Sequence, residues 1–145
     1  MIQQLSVFLE NNPGTLRAMT EILGKGGVDL LALSLADTQS FGIVRLIVSS
    51  EQMYTALGLL KDNGYIAKMN HVICACVPDR PMGLSELLSV IESAGLSVEY
   101  MYSFLRAYAS GTALMILRMN DGNLAESVFS EKRIRMLSQE EIDSL

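Results

Sequence analysis

The sequence predicts an α+β protein that contains two copies of one βαββαβ unit. Residues 11–16, NNPGTL, return 68 positions later as residues 79–84, DRPMGL. The apolar spacing after each motif is repeated as well, and strand-like segments follow in the same order. A repeat of about 70 residues is a whole subdomain. We therefore expect one unit at residues 1–70 and a second at residues 71–145, each marginally stable alone.

The first unit has alternating apolar residues where strands are expected and apolar residues at helical spacing between them. Gly24, Gly26 and Gly27 end the first helix. Ser49 with Gln52 is typical of a capping box that opens the second helix. The predicted strands are 4–9, 29–36, 43–48 and 65–69, the hairpin turn is 37–40, and the helices are 15–23 and the segment after Ser49.

The second unit repeats this order with one residue gained in its hairpin, after which the offset is 69. Arg133 stands where the first unit has Gly64, and Ser138 is typical of the start of a short terminal helical turn. The predicted strands are 72–77, 97–106, 112–119 and 134–137, and the helices are 84–94 and 124–130. This is the ferredoxin-like split βαβ arrangement, with two helices on one face of a four-stranded sheet.

Composition and charge fit a soluble globular protein. Half of the residues are apolar, 19% are charged, and the formal net charge is −5. An acidic chain whose 11 Lys and Arg residues are scattered is a poor match for nucleic acid or an anionic membrane. The apolar runs are far shorter than the roughly 20 residues of a membrane-spanning helix, and no signal peptide is evident. We therefore expect a cytoplasmic protein.

The turn between strand 1 and helix 1 of each unit is a candidate ligand site. The first N–H groups of a helix have no intrahelical acceptor, and the helix dipole favours negative charge there. Pro13 and Gly14 keep the first turn tight, and the amide of Asn11 both donates and accepts. The same residues also make a good helix start without any ligand, so local chemistry leaves both interpretations open.

The sequence shows no catalytic or metal-binding motif. Cys74 and Cys76 fall on one face of a predicted strand, where two small buried side chains are the simpler interpretation. Together with His71 they fit none of the usual zinc spacings. No nucleophile has an evident base partner. We therefore expect no metal, no cofactor and no catalytic residue, and we predict that the protein is not an enzyme.

The motifs of both units resemble those of the ACT domain. An Asn-x-Pro-Gly-x-Leu loop between strand 1 and helix 1 is typical of that domain, as is the Gly-Val-Asp-Leu of residues 27–30 at the entrance to strand 2. Residues 37–46 and 99–104 resemble signature stretches of small stand-alone bacterial proteins made of two ACT domains. The resemblance covers essentially the whole chain.

This resemblance implies a regulatory protein that binds an amino acid. ACT domains commonly pair side by side and merge their sheets into one of eight antiparallel strands, with the helices on one face. The effector lies where two domains meet, between the strand 1–helix 1 loop of one and the start of strand 2 of its neighbour. The implied ligand-binding residues are Asn11, Asn12, Gly14, Thr15, Leu16, Asp29 and Leu30, and in the second unit Asp79, Met82, Gly83, Leu84, Ser97 and Val98.

The two loops are not equivalent in sequence. Met82 takes the place of the Gly that directly follows Pro in the family pattern, and Gly83 comes one position later. Asp79 replaces the amide of Asn11 with an anion, which repels a ligand carboxylate. We therefore expect the first loop to be the better site.

The leading hypothesis is a non-catalytic protein that senses an aliphatic or aromatic amino acid. Such a protein has to pass its signal to a partner enzyme or regulator, and the family's pairing implies a homodimer. One alternative is a structural or interaction module that has lost its ligand. Another is a ferredoxin-like enzyme or metal carrier. RNA binding through the sheet is disfavoured by the acidic charge and the few aromatic residues.

Overall fold

The structure, a computed structural model, describes residues 1–10, 12–37 and 41–145. The chain divides into two compact units. The N-terminal unit is Gln3–Asn70, and the C-terminal unit is His71–Leu145 together with Met1–Ile2. That these units correspond to two domains, 1–70 and 71–145, stays a prediction. Most of the predicted hairpin turn at 37–40 lies outside the described residues.

The N-terminal unit has the predicted βαββαβ order. Its strands lie in the order β2-β3-β1-β4, and β3 pairs antiparallel with both β1 and β2, so that Leu46 lies opposite Leu5 and opposite Leu33. The elements are β1 (Ile2–Glu10), α1 (Thr15–Lys25), β2 (Ala32–Asp37), β3 (Phe41–Ile47), α2 (Ser50–Asp62) and the first part of β4 (Ile66–Pro78).

One face of this sheet and the two helices form the core of the N-terminal unit. Alternate residues of β1 point into it, as period-two alternation requires, and the helices contribute residues at spacings of three and four. The buried side chains include Leu5, Val7 and Leu9 of β1, Met19 and Leu23 of α1, and Met53, Ala56 and Leu60 of α2. Helical and strand periodicity in the sequence therefore accounts for which of these side chains are buried.

The C-terminal unit repeats the arrangement with strand order β4-β6-β5. Its core contains Phe129, which is fully buried, packed with side chains from β4, β6 and α3. The elements are the remainder of β4, α3 (Gly83–Ser93), β5 (Val98–Ser103), β6 (Thr112–Met119), α4 (Gly122–Glu131) and α5 (Gln139–Asp143). The predicted α+β class with repeated βαββαβ units is confirmed.

The eight expected strands become six, because the structure differs from the prediction at two places. The strands expected at 65–69 and 72–77 form one continuous strand, β4, since no glycine or proline interrupts Asn70 and His71. The strand expected at 134–137 forms only an isolated bridge, in which Met136 lies opposite Ala75. The residues that the structure describes therefore contain six strands.

The predicted helix caps had mixed outcomes. At α5 the Ser138 hydroxyl accepts from the N–H of Glu141, and the Glu141 carboxylate accepts from the N–H of Ser138, which completes a capping box. At α2 the expected box is wrong, because Ser49 makes no side-chain cap. The amide of Gln52 instead bonds to the chain that leads into β2.

None of the helices within the described ranges is long and apolar enough to cross a membrane.

Candidate functional site

The loop from β1 to α1 in the N-terminal unit is closed by hydrogen bonds between its own backbone groups. The N–H of Asn12 donates to the carbonyl of Glu10 over 3.0 Å, and the N–H of Thr15 donates to the carbonyl of Asn12 over 3.2 Å. The Thr15 hydroxyl lies 2.9 Å from both of those carbonyl oxygens. These bonds hold the chain in a tight turn directly before the helix.

Gly14 is the N-cap of α1 and has a φ of +84°, in the left-handed region that glycine adopts readily. It has no side chain with which to cap the helix, and the first turn contains no acidic residue. The N–H of Thr15 donates to Asn12, whereas the next two N–H groups of the first turn, those of Leu16 and Arg17, lack intrahelical acceptors and remain available to an anion. Asn11 lies outside the described residues, so its predicted role stays a prediction.

A cavity of about 180 Å³ opens at this loop. Its lining includes one acidic residue, Glu10, and one basic residue, Arg17, together with apolar residues. The lining residues are Leu9, Glu10, Asn12, Gly14, Thr15, Leu16, Arg17, Leu35 and Gly42. A site with one anion, one cation and an apolar wall complements an amino acid, which carries an ammonium group, a carboxylate and a side chain.

The two charged side chains already have neighbours. Glu10 accepts a hydrogen bond from the Asn12 amide over 3.2 Å. Arg17 pairs with Glu21 over 2.8 Å on the helix surface, where its side chain is 77% exposed. Lys25, and to a smaller extent Arg17, lower the pKa of Glu21. Because an exposed pair of this kind is weak, Arg17 can turn to a ligand carboxylate at little cost.

Of the predicted residues in this unit, the structure brings four together at the cavity: Asn12, Gly14, Thr15 and Leu16. Asp29 and Leu30 do not line it. The N–H of Asp29 donates to the side-chain oxygen of Gln52 over 2.9 Å, and Leu30 is half-buried against the core. Both residues precede β2, which begins at Ala32 and not at Asp29 as expected.

Five cavity residues were not predicted from the sequence: Leu9, Glu10, Arg17, Leu35 and Gly42. Arg17 lies in the first turn of α1, so a search for cations close to the loop would have found it. Leu35 and Gly42 come from β2 and β3, and only the strand pairing brings them to the loop. A β-carbon on Gly42 would lie 3.0 Å from the Leu35 side chain.

The loop from β4 to α3 in the C-terminal unit repeats the backbone of the first loop. The N–H of Arg80 donates to the carbonyl of Pro78 over 2.9 Å, and that of Gly83 donates to the carbonyl of Arg80 over 3.0 Å. The Met82 carbonyl accepts from Glu86, as the equivalent Gly14 carbonyl accepts from Ala18 in the first unit. The duplicated motif therefore forms the same turn twice.

The side chains of the second loop give it a different surface. Met82 adopts the left-handed conformation, with a φ of +71°, and is 64% exposed. Gly83 has another role, because a β-carbon there would collide with the carbonyl group of Pro78. Glycine is thus required at this position for close packing of backbone on backbone.

The remaining predicted residues of the second unit occupy positions equivalent to those in the first. The N–H of Ser97 donates to the Asn120 side chain over 3.0 Å, Val98 packs against the core, and Asp79 and Leu84 are exposed. Pro78 stands at the position of Glu10, and Ser85 at that of Arg17. The second loop therefore lacks the charge pair found in the first cavity.

We predict that Met82→Gly stabilises the protein by roughly 1 kcal/mol. The left-handed conformation costs a residue with a β-carbon about 1–2 kcal/mol, and part of the gain is offset by the greater chain entropy of unfolded glycine. Denaturant unfolding of both variants measures the difference. Met82→Ala is the matched control and should show no such gain. Equal stability of Met82→Gly and Met82→Ala would contradict the prediction.

The cysteines lie in the C-terminal unit and do not line the first-loop cavity. Burial, with smaller effects from Cys76 and Glu141, raises the pKa of the Cys74 thiol to about 12. Burial also raises the pKa of Cys76. Both thiols are therefore protonated at neutral pH, unlike reactive cysteines. Among the residues described, no three His, Cys, Asp or Glu side chains are grouped so that they could hold a metal.

Several known proteins are similar to this chain. Protein BT0572 from Bacteroides thetaiotaomicron is 33% identical in sequence, with coverage of 99% of this chain and 96% of that one and a TM-score of 0.87. The regulatory subunit of aspartate kinase from Thermus thermophilus, in its ligand-free form, is 15% identical with 90% of each chain covered and a TM-score of 0.67. The corresponding subunit from Thermus flavus is 13% identical, with 89% and 90% covered and a TM-score of 0.64. No match was found among the curated proteins compared with the chain.

A family model described as an ACT domain pair matches residues 1–145. At their low identities the two Thermus subunits share only the fold, but the family model extends over all of the residues that carry the duplicated loops and strands. The resemblance seen in the sequence is thereby confirmed, and the chain belongs to the family of ACT domain pairs.

Proposed function

We propose that this protein is a non-catalytic regulator that binds a small amino acid at the β1–α1 loop of its N-terminal unit. The observation that carries the proposal is the cavity of about 180 Å³ at that loop. There the first-turn N–H groups of α1 and the Arg17 guanidinium suit a carboxylate, and Glu10 suits an ammonium group. Leu9, Leu16 and Leu35 suit an aliphatic side chain.

Two further features support binding at the first loop rather than the second. The first loop has glycine at its left-handed position, which keeps the approach to the helix N-terminus free of side-chain atoms. The second loop has Met82 there and lacks the charge pair. We propose one effector site per chain, completed by Asn11 and, from a neighbouring domain or a second chain of a homodimer, by residues equivalent to Asp29 and Leu30.

Regulation would follow from ordering of the loop. A ligand that bridges Glu10, Arg17 and the start of α1 binds best when these groups are held in one arrangement. It therefore shifts the population toward that arrangement. We propose that a cytoplasmic partner enzyme or regulator recognises the ordered state. The regulatory subunits of aspartate kinase among the similar structures are named as regulators, which is consistent with this proposal.

A second candidate is an interaction module whose C-terminal loop binds a protein partner. The observation that favours it is the exposure of two apolar side chains, Met82 and Leu84, at that loop. Large apolar side chains at a surface turn are typical contact residues when they form part of a contiguous patch. A stable partner whose binding is lost in Met82→Ser and is indifferent to amino acids would favour this function.

Glu10→Gln is predicted to weaken binding of the effector by roughly tenfold or more, because a hydrogen bond to a charged group contributes about 1.5–3 kcal/mol. The effector is first identified by a thermal-shift screen of the twenty L-amino acids. A ligand at about 100 times its Kd adds roughly 2.7 kcal/mol of stability, which is several degrees in Tm. Calorimetry then compares the wild type with Glu10→Gln and Arg17→Gln.

Lys25→Gln is the matched control, since Lys25 is an exposed cation of the same helix and does not line the cavity. It should bind the effector as the wild type does. If the wild type and the three variants bound the effector with equal affinity, Glu10 and Arg17 would not be part of the binding site. A flat thermal screen would favour the interaction module.

A further inference from the structure

A second cavity lies at equivalent places in both units, beside the first residues of helix α1 or α3. Its volume is about 310 Å³ in the N-terminal unit and about 280 Å³ in the C-terminal unit. Six lining positions correspond through the internal repeat. They pair Phe8 with Cys76, Glu10 with Pro78, Thr15 with Gly83, Gly64 with Arg133, Tyr65 with Ile134, and Ile66 with Arg135. The fold itself therefore generates this cavity, and the side chains determine what it can bind.

The two copies differ in their charged residues, which are Glu10 in the N-terminal unit and Glu86, Arg133 and Arg135 in the C-terminal unit. In the N-terminal unit, the segment that enters the last strand contributes Gly64 and Ile66, and aromatic side chains complete the wall. In the C-terminal unit the same two positions are Arg133 and Arg135. In the C-terminal unit the cavity is therefore lined by two arginines as well as by the apolar residues Leu87, Val90 and Ile134.

One of these two cations has no partner. Arg135 pairs with Glu141 and lies 3.3 Å from the Tyr108 hydroxyl. Glu86, the carboxylate at the mouth, is bound by Arg80 over 2.9 Å. The N–H of Arg133 donates to the carbonyl of Ser130, but its guanidinium makes no hydrogen bond or ion pair within the described parts of the chain. Arg80 and Arg135 are thus each paired with a carboxylate, and the positive charge in excess is that of Arg133.

The backbone of Arg133 is strained. Its φ is +56°, in the left-handed region, where the equivalent residue of the first unit is Gly64 with a φ of +84°. Glycine would adopt this turn without strain. Strained residues of this kind are concentrated at ligand-binding positions, where the side chain is needed. Arg133, which keeps this strained conformation, also lines the cavity, and its guanidinium is unpaired.

We propose that this cavity in the C-terminal unit binds a small monocarboxylate with an apolar body and no ammonium group. The carboxylate pairs with Arg133, and the hydrocarbon packs against Leu87, Val90 and Ile134. An α-ammonium group would lie close to the unpaired guanidinium of Arg133 and be repelled, so a branched-chain acid or a 2-oxo acid binds better than the amino acid of the same skeleton. The volume of about 280 Å³ suits a ligand at the small end of the usual range. The site is separate from the amino-acid site proposed above in the other unit.

The test is calorimetric titration of the full chain with isocaproate, compared with leucine and with isocaproamide, the neutral amide of the same acid. We expect isocaproate to bind in the millimolar range or tighter, at least tenfold more tightly than isocaproamide and more weakly as salt is added. Arg133→Gly should reduce its affinity about tenfold without loss of Tm, because glycine suits the turn. Arg133→Lys, which keeps the charge, should bind with intermediate affinity.

Lys132→Ala is the matched control, because it removes the neighbouring positive charge, which does not line the cavity. It should bind isocaproate as the wild type does. Three results would overturn the proposal: no isocaproate binding at millimolar concentration, equal affinities for the acid and its amide, or unchanged affinity in Arg133→Gly. Leucine binding that is lost in Glu10→Gln but kept in Arg133→Gly belongs to the first-loop site, so the two proposals fail separately.

Discussion

Gly83→Ala is expected to destabilise the protein by about 3 kcal/mol, the upper part of the range for overpacked sites. A β-carbon at Gly83 would overlap the carbonyl oxygen of Pro78 and lie 3.0 Å from its carbonyl carbon. Both atoms belong to the backbone, so no flexible side chain can move aside. The start of α3 would have to shift away from the end of β4, with loss of packing around Leu87. Denaturant unfolding of the wild type and the variant measures the effect.

Gly14→Ala is the matched control in the other unit. Gly14 has a φ of +84°, but a β-carbon there would meet nothing within 4 Å. We therefore expect a cost of only about 1–2 kcal/mol, from the left-handed conformation alone. If Gly83→Ala and Gly14→Ala were equally destabilised, the close approach of α3 to Pro78 would not be a real constraint.

Raising the pH from 9 to 12 is expected to remove roughly 4 kcal/mol of stability through the Cys74 thiol, since each pKa unit corresponds to 1.36 kcal/mol. Burial raises the folded-state pKa from 9.0 to about 12. Below pH 9 the thiol is protonated in both the folded and the unfolded chain, and its contribution to stability is fully present. Between pH 9 and pH 12 only the unfolded chain releases the proton, which favours unfolding. Unfolding free energies measured across this window show the loss.

Cys74→Ala separates this effect from the titration of tyrosines and lysines in the same window. The variant loses some stability at pH 7, because a buried sulfur atom is removed, but its stability should fall less steeply above pH 9. Cys76→Ala should change the slope less, since Cys76 is only half-buried. An identical slope in the wild type and Cys74→Ala would contradict the expected burial of Cys74.

The repeat made most of the fold predictable, because two copies of one pattern constrain each other. Where local signals were weak, the prediction of elements failed. Asn70 and His71 suggested a break between two strands, yet backbone pairing continues through them and β4 is one strand. Near the C-terminus, apolar alternation suggested a strand at 134–137, but only Met136 pairs, as a bridge with Ala75. Periodicity indicates which face a segment buries, and it does not fix how many residues find a partner strand.

The sequence predicted the loop of the candidate site, but it did not predict the other residues that line the cavity. The Asn-Pro-Gly motif indicated the turn and the helix start because its chemistry is local. Glu10 and Arg17 lie on either side of that turn, and their common cavity depends on how the helix leaves the strand. Gly83 in the second loop was also misinterpreted. Because it lies shortly after Pro81, it suggested an equivalent of Gly14 shifted by one position. Met82 takes the left-handed position instead, and Gly83 is there to let two backbone segments approach.

The most direct test of an amino-acid site at the first loop is an amide NMR titration of the full chain with the amino acid that gives the largest thermal shift. We predict that the amide signals of Gly14, Thr15 and Leu16 move and saturate at one ligand per chain. The equivalent signals of Met82, Gly83 and Leu84 should move far less. No perturbation at the first loop with any of the twenty amino acids, or earlier saturation at the second loop, would contradict it.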